Sequence, residues 1–191
     1  MGILRALREH RGRRLAMALP EWQPSEDSQC GHVVQFYGGA FPVDAVAKFL
    51  GEGLAAGEVG VVIATPEHTM AVQTKLGGSG RCIFLDARET MARFMVHGRP
   101  DRTKFLDTVG DLVAQAAQMG NGRVRAFGEM VVLLCESGEP EAAHELEELW
   151  NELGRRSSLK LLCSYPISAF VGRNKAFEGK LRDTHSHAVL A

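Results

Sequence analysis

From Gly31 onward, short apolar runs alternate with longer segments in which apolar residues recur every three or four positions. His32–Tyr37 (HVVQFY) is a β-rich run stopped by Gly38-Gly39. The next segment, Asp44–Ala56, puts Val46, Ala47, Leu50 and Leu54 on one helical face, with Val43 leading in and Gly57 at the C-cap. Gly60–Ala64 (GVVIA) is apolar throughout, the pattern of a strand covered on both faces. Thr65 as N-cap and Pro66 at the first helical position open a helix that runs to Leu76. A glycine-rich turn over 77–80 leads into a strand at Cys82–Leu85, which ends at Asp86. Helices are expected over Glu89–Val96 and Asp101–Gln118, separated by a loop, HGRPDR. Val124–Phe127 is a fourth strand, followed by Gly128-Glu129-Met130. Glu139–Leu153 presents Ala142, Leu146, Leu149, Trp150 and Leu153 inward, and its glutamates Glu145, Glu147, Glu148 and Glu152 read as the solvated face. Leu159–Tyr165 is a fifth strand, stopped by Pro166. In the tail beyond Phe170, one more helix and an edge strand at His187–Leu190 are expected.

Strands that alternate with helices of this length predict an α/β fold. The expected sheet is mostly parallel, with five to six strands and helices on both faces. Before it, Ile3, Leu4 and Leu7 share a helical face among arginines at 5, 8, 11, 13 and 14, and residues 16–30 carry two prolines and little periodicity. Residues 1–30 therefore read as a basic helix and linker, and residues 31–191 as the folded domain.

Composition narrows the function classes. The chain has 191 residues, 45% of them apolar, with 22 basic against 23 acidic side chains for a net charge of -1. That balance disfavours direct nucleic-acid binding. No apolar run reaches membrane-spanning length, and no secretory signal is present, so a cytoplasmic location is expected. Cys30, Cys82, Cys135 and Cys163 form no CxxC pair and read as reduced thiols. Cys30 and His32 give only two ligands, so no metal is expected there.

In open α/β sheets, ligands bind beyond the carboxyl ends of the strands. The polar residues expected at those ends are Tyr37, Glu67 with His68, Asp86, Glu129 and Tyr165. Tyr37, Glu67, Asp86, Glu129 and Tyr165 are the candidate ligand-binding set, with Phe36, Phe41, Phe127 and Met130 as apolar walls. Each carboxylate also fits helix capping, for which Glu67 and Asp86 are well placed. After the first strand, GGAFPVDA lacks the lysine and Ser/Thr of a phosphate-binding P-loop, which disfavours nucleotide hydrolysis. No catalytic set is assigned, and the chain reads as a binding module and not an enzyme.

Several ordered segments carry a family resemblance: GHVVQFY (31–37), VDAVAKFLGEGLAAGEVGVVIATPEH (43–68), FLDARETMARFM (84–95), RVRAFGEMVVLL (123–134), LEELWNEL (146–153), LLCSYP (161–166) and THSHAV (184–189). Together they resemble the MEDS domain, a sensory domain of methanogen and methylotroph regulators. The family in turn is similar to the RecA/KaiC ATPase core without its P-loop. By that similarity Glu67 falls where those ATPases carry a catalytic glutamate, and Gly128-Glu129 near the end of their Walker B strand. The resemblance implies a sensor of small hydrocarbon derivatives. This sensor would signal through a partner protein, with the basic N-terminal helix as a candidate output element. It also leaves two alternatives open, a Mg-nucleotide in the same cleft or a ligand-free interaction module. Homo-oligomerisation is compatible with any of them.

Overall fold

The computed structural model describes residues 31–78, 80–170 and 187–190. The basic helix and linker expected over 1–30, and the helix expected in the tail, lie outside the described residues. Six strands form one sheet: β1 (Gly31–Tyr37), β2 (Val59–Ala64), β3 (Cys82–Asp86), β6 (Val124–Gly128), β7 (Leu159–Pro166) and β8 (His187–Leu190). Their order is β3-β2-β6-β7-β1-β8, and every pairing is parallel. The edge strand expected at His187–Leu190 is β8, which pairs with β1.

The two faces are covered by different parts of the chain. Helices α1 (Val43–Ala55) and α2 (Pro66–Leu76) pack on one face, where Val46, Leu50 and Val72 meet Val33, Val62, Ala64, Phe127 and Leu162. The other face carries α3 (Ala87–Ala92), α4, α5 (Met130–Glu136) and α6 (Pro140–Arg156). Helix α4 runs through Arg102–Phe105, a π-helical turn at Leu106–Gly110, and Asp111–Met119. The inner strands β2 and β6 are buried at every position, which is why β2 is an apolar run without alternation and the charged residue of β6, Arg125, is paired. Burying one such aliphatic side chain contributes about 1.5–3 kcal/mol.

Close approach constrains two glycines. A Cβ at Gly60 would lie 2.7 Å from the Cys82 sulfur, so β2 and β3 tolerate no side chain there. A Cβ at Gly53 would lie 2.5 Å from Arg125 Cδ. Arg125 is itself buried, donating from Nε to Glu58 at 2.7 Å and from Nη1 to the Phe49 carbonyl at 2.8 Å. This clamp ties α1 to β6 at the end of the sheet opposite the strand carboxyl termini.

One segment departs from expectation, and for a second no element is predicted. The helix expected over Glu89–Val96 stops at Ala92, and Met95–Val96 (β4) instead pairs antiparallel with Arg99–Pro100 (β5). The turn uses His97 and Gly98, with φ of 50° and 77°; two left-handed residues suit a two-residue hairpin. Second, the apolar run after Glu129 is the helix α5, buried at every position from Met130 to Cys135. Among the described residues, no helix is long and apolar enough to cross a membrane.

Candidate functional site

Strand order decides where polar groups converge. The chain leaves β2 through α2 toward β3, and leaves β6 through α5 and α6 toward β7. Because β2 and β6 are adjacent, their connections diverge to opposite faces and open a crevice at their carboxyl ends. Glu129, the residue after β6, fills the base of this crevice and is buried. Its backbone N–H donates to the Ile63 carbonyl at 2.9 Å, which fixes the turn. Its Oε2 accepts the Thr65 backbone N–H at 2.8 Å, and its Oε1 is hydrogen-bonded to His68 Nδ1. Thr65 caps α2 by accepting the His68 N–H, so one short segment positions both partners of the carboxylate.

Aromatic rings close the crevice. Phe41, in the loop between β1 and α1, stacks on the His68 ring at 3.8 Å with an interplanar angle of 11°. Phe127 and Tyr37 flank Phe41, with centroids 5.7 Å and 6.4 Å away. Gly38, Gly39 and Ala40 before it are exposed, and Phe41 is half-buried. Burial raises the Glu129 carboxyl above the ordinary carboxylate range, against the pull of the Thr65 amide and His68. Burial also pushes the Tyr37 phenol up to about 12, helped by the charges of Glu129 and Glu136.

Of the five expected site residues, the structure brings Tyr37 and Glu129 together. Asp86 ends the outer strand β3 and caps α3, accepting the Glu89 N–H at 2.8 Å. Glu67 is exposed and lines a different concavity, an open groove of about 750 Å³ beside α2 that also holds Val43, Met70 and Lys75. Tyr165 does not reach the rim. Its side chain points to the opposite face of the sheet, where it is buried and donates its hydroxyl to Glu147. Of the expected walls, Phe41 and Phe127 line the crevice; Phe36 and Met130 belong to the core on the other face. Residues 67 and 68 adjoin in sequence, yet the helical turn sends Glu67 outward and brings His68 to Glu129.

A second polar cluster lies inside that opposite core. Glu147, expected on the solvated face of α6, is fully buried. The sequence holds the signal: position 147 is four residues after Ala143 and three before Trp150, both inward-facing. His32 Nε2 lies 3.2 Å from Glu147 Oε2 and 3.4 Å from Cys163 Sγ, and His32 Nδ1 faces Asn151 Oδ1 at 2.9 Å. Burial, with the nearby Glu147 charge, holds the Cys163 thiol and the Tyr165 phenol well above their ordinary values. His32, Glu147 and Cys163 are the described residues whose ligand atoms gather closely enough to hold a metal, all within 4.8 Å of one another.

Residues 31–179 match the family model of the MEthanogen/methylotroph, DcmR Sensory domain (MEDS), so the chain belongs to that sensory-domain family. No curated protein matches the chain.

Proposed function

We propose that this MEDS-family chain senses a small organic ligand, of the hydrocarbon-derivative type, in the crevice at the carboxyl ends of β1, β2 and β6, and relays the signal to a partner protein. The observation that carries the reading is the buried Glu129 carboxylate under stacked His68 and Phe41 rings. A carboxylate in that position is costly to bury, and the fold holds it at a point where two adjacent strands send their connections apart. Tyr37, Phe41 and Phe127 supply apolar surface; Glu129, His68 and the Tyr37 hydroxyl supply orienting polar groups.

Ligand entry displaces Phe41 from the His68 ring, and the exposed Gly38–Ala40 stretch absorbs the backbone change. The ligand thereby favours an open state of the β1–α1 loop over the closed one seen here. That loop leads directly into α1, so opening moves a helix on the outer surface, where a partner reads it. The basic segment over residues 1–30 is the candidate contact for that partner.

A thermal-shift panel tests the reading. Short halogenated and oxygenated hydrocarbons, Mg-ATP and Mg-GTP are compared on the full chain and on Phe41→Ala. A ligand at 100 times its dissociation constant stabilises by about 2.7 kcal/mol. Stabilisation by a small organic that Phe41→Ala weakens or removes supports the reading. Stabilisation by Mg-nucleotide alone replaces it with the nucleotide alternative, and no stabilisation by any member moves weight to a ligand-free interaction module.

A further inference from the structure

The cluster of His32, Glu147 and Cys163 lies on the sheet face opposite the crevice, and the sensory reading makes no use of it. Asn151 Oδ1 accepts a hydrogen bond from His32 Nδ1–H at 2.9 Å. That contact fixes the ring and turns Nε2 toward two other electron-rich atoms, Glu147 Oε2 at 3.2 Å and Cys163 Sγ at 3.4 Å. A neutral ring with its proton on Nδ1 has a lone pair at Nε2. Nε2, Oε2 and Sγ are thus a nitrogen, an oxygen and a sulfur of the kinds that ligate zinc-class ions, gathered in a buried core.

We propose that this cluster binds a borderline divalent metal of the zinc class through His32 Nε2, Glu147 Oε2 and Cys163 Sγ. Bonds of about 2.0–2.3 Å to nitrogen, oxygen and sulfur ligands give tetrahedral edges of roughly 3.3–3.8 Å. Of the two separations that involve Nε2, 3.2 Å lies just below that range and 3.4 Å within it, and all three atoms lie within 4.8 Å of one another. The charge also balances. A thiolate and a carboxylate with a neutral imidazole carry two negative charges, which a divalent ion cancels inside the core. Outer contacts hold the ligands as metal sites require: Asn151 orients the imidazole, and the Tyr165 hydroxyl donates to the second Glu147 oxygen. Imidazole with thiolate selects zinc-like ions over magnesium or calcium.

The ligands come from β1, α6 and β7, so the ion would pin α6 to two adjacent strands.

The test uses the purified full chain, stripped with a strong chelator, dialysed, and titrated with zinc and with cobalt(II). The proposal expects about one metal retained per chain and a higher melting temperature on loading. Cobalt is expected to give an intense near-ultraviolet thiolate-to-metal band. Cys163→Ala should lose that band; Cys82→Ala and Cys30→Ala should keep it. X-ray absorption of the zinc-loaded wild-type chain, which needs no variant to fold, should show one sulfur among nitrogen and oxygen scatterers. Failure to retain metal, or metal bound without sulfur, overturns the proposal. Loss of the band in Cys30→Ala with retention in Cys163→Ala overturns it as well. None of these readouts depends on the organic ligand, so the metal site and the sensory crevice stand or fall separately.

Discussion

Replacing Glu129 by Gln removes one charge and almost no volume. Gln Oε1 can still accept the Thr65 N–H, and its amide can face His68 Nδ1, so the hydrogen-bond geometry of the crevice base survives. What changes is the cost of a buried charge. Burial raises the folded-state pKa of Glu129 above that of the unfolded chain. For a group displaced in that direction, stability is fully present below the unfolded value, about 4.3 for Glu, and is lost as pH rises through the folded value. The wild type therefore loses ground to Glu129→Gln between about pH 4 and the folded pKa, and the gap is constant above it. Each unit of displacement is worth about 1.4 kcal/mol. In a chain of this size 1 kcal/mol moves the melting temperature by about 2–4 °C. The assay is thermal unfolding of both proteins from about pH 4 to 8, read as the difference between them. The two should coincide at the acid end, and the variant should melt higher at the neutral end. A variant that becomes progressively less stable than wild type as pH rises would refute the reasoning. It would mean that Thr65 and His68 outweigh burial, making Glu129 a structural ion-pair residue.

Other consequences are more local. Trp150 is buried and meets the Phe105 ring edge-on at 5.4 Å, so Trp150→Ala should cost about 3–5 kcal/mol in chemical denaturation. Its indole N–H has no hydrogen-bond partner among the described residues, so Trp150→Phe should cost much less, within about 1–2 kcal/mol. Gly53→Ala pushes a methyl group into the Arg125–Glu58 clamp and should destabilise by about 1–3 kcal/mol, measured the same way. The chain has two tyrosines, Tyr37 held at about 12 and Tyr165 well above its ordinary value. The folded protein should therefore show little phenolate absorbance at about pH 11, a unit above the usual tyrosine value, and the full signal only on unfolding. Both raised phenols contribute stability that is present below about pH 10 and lost above it.

The sheet was readable because apolar runs such as GVVIA are short and bounded by turn signals, whereas the apolar run after Glu129 shows that a fully buried helix can give the same pattern. Glu129 was readable because it directly follows a strand. Its partnership with His68 was not, since the two are 61 positions apart and meet only because β2 and β6 are neighbours. Alternation along β7 explains the placement of Tyr165: with Cys163 it shares the face opposite Leu162, and so it left the rim for the core. The β4–β5 hairpin was hidden because helix formers such as Glu89, Met91 and Ala92 lead up to it and its strands are two residues each, while His97 and Gly98 take left-handed conformations that turn the chain. Glu147 was misplaced because charge was weighed above helical position. A glutamate on an inward arc stays buried once His32 and Tyr165 supply partners from strands far away in sequence.

Hydrogen exchange of the full chain, with and without the strongest stabiliser from the ligand panel, tests the sensory crevice most directly. The Thr65 and His68 amides form the wall beside Glu129, and residues 38–42 carry Phe41. Ligand in the crevice should slow exchange at the Thr65 and His68 amides and alter it across 38–42, with α6 unchanged. Protection confined to the α2 groove around Glu67 and Met70, or to α6, with residues 38–42 and 65–68 unchanged, would contradict the account.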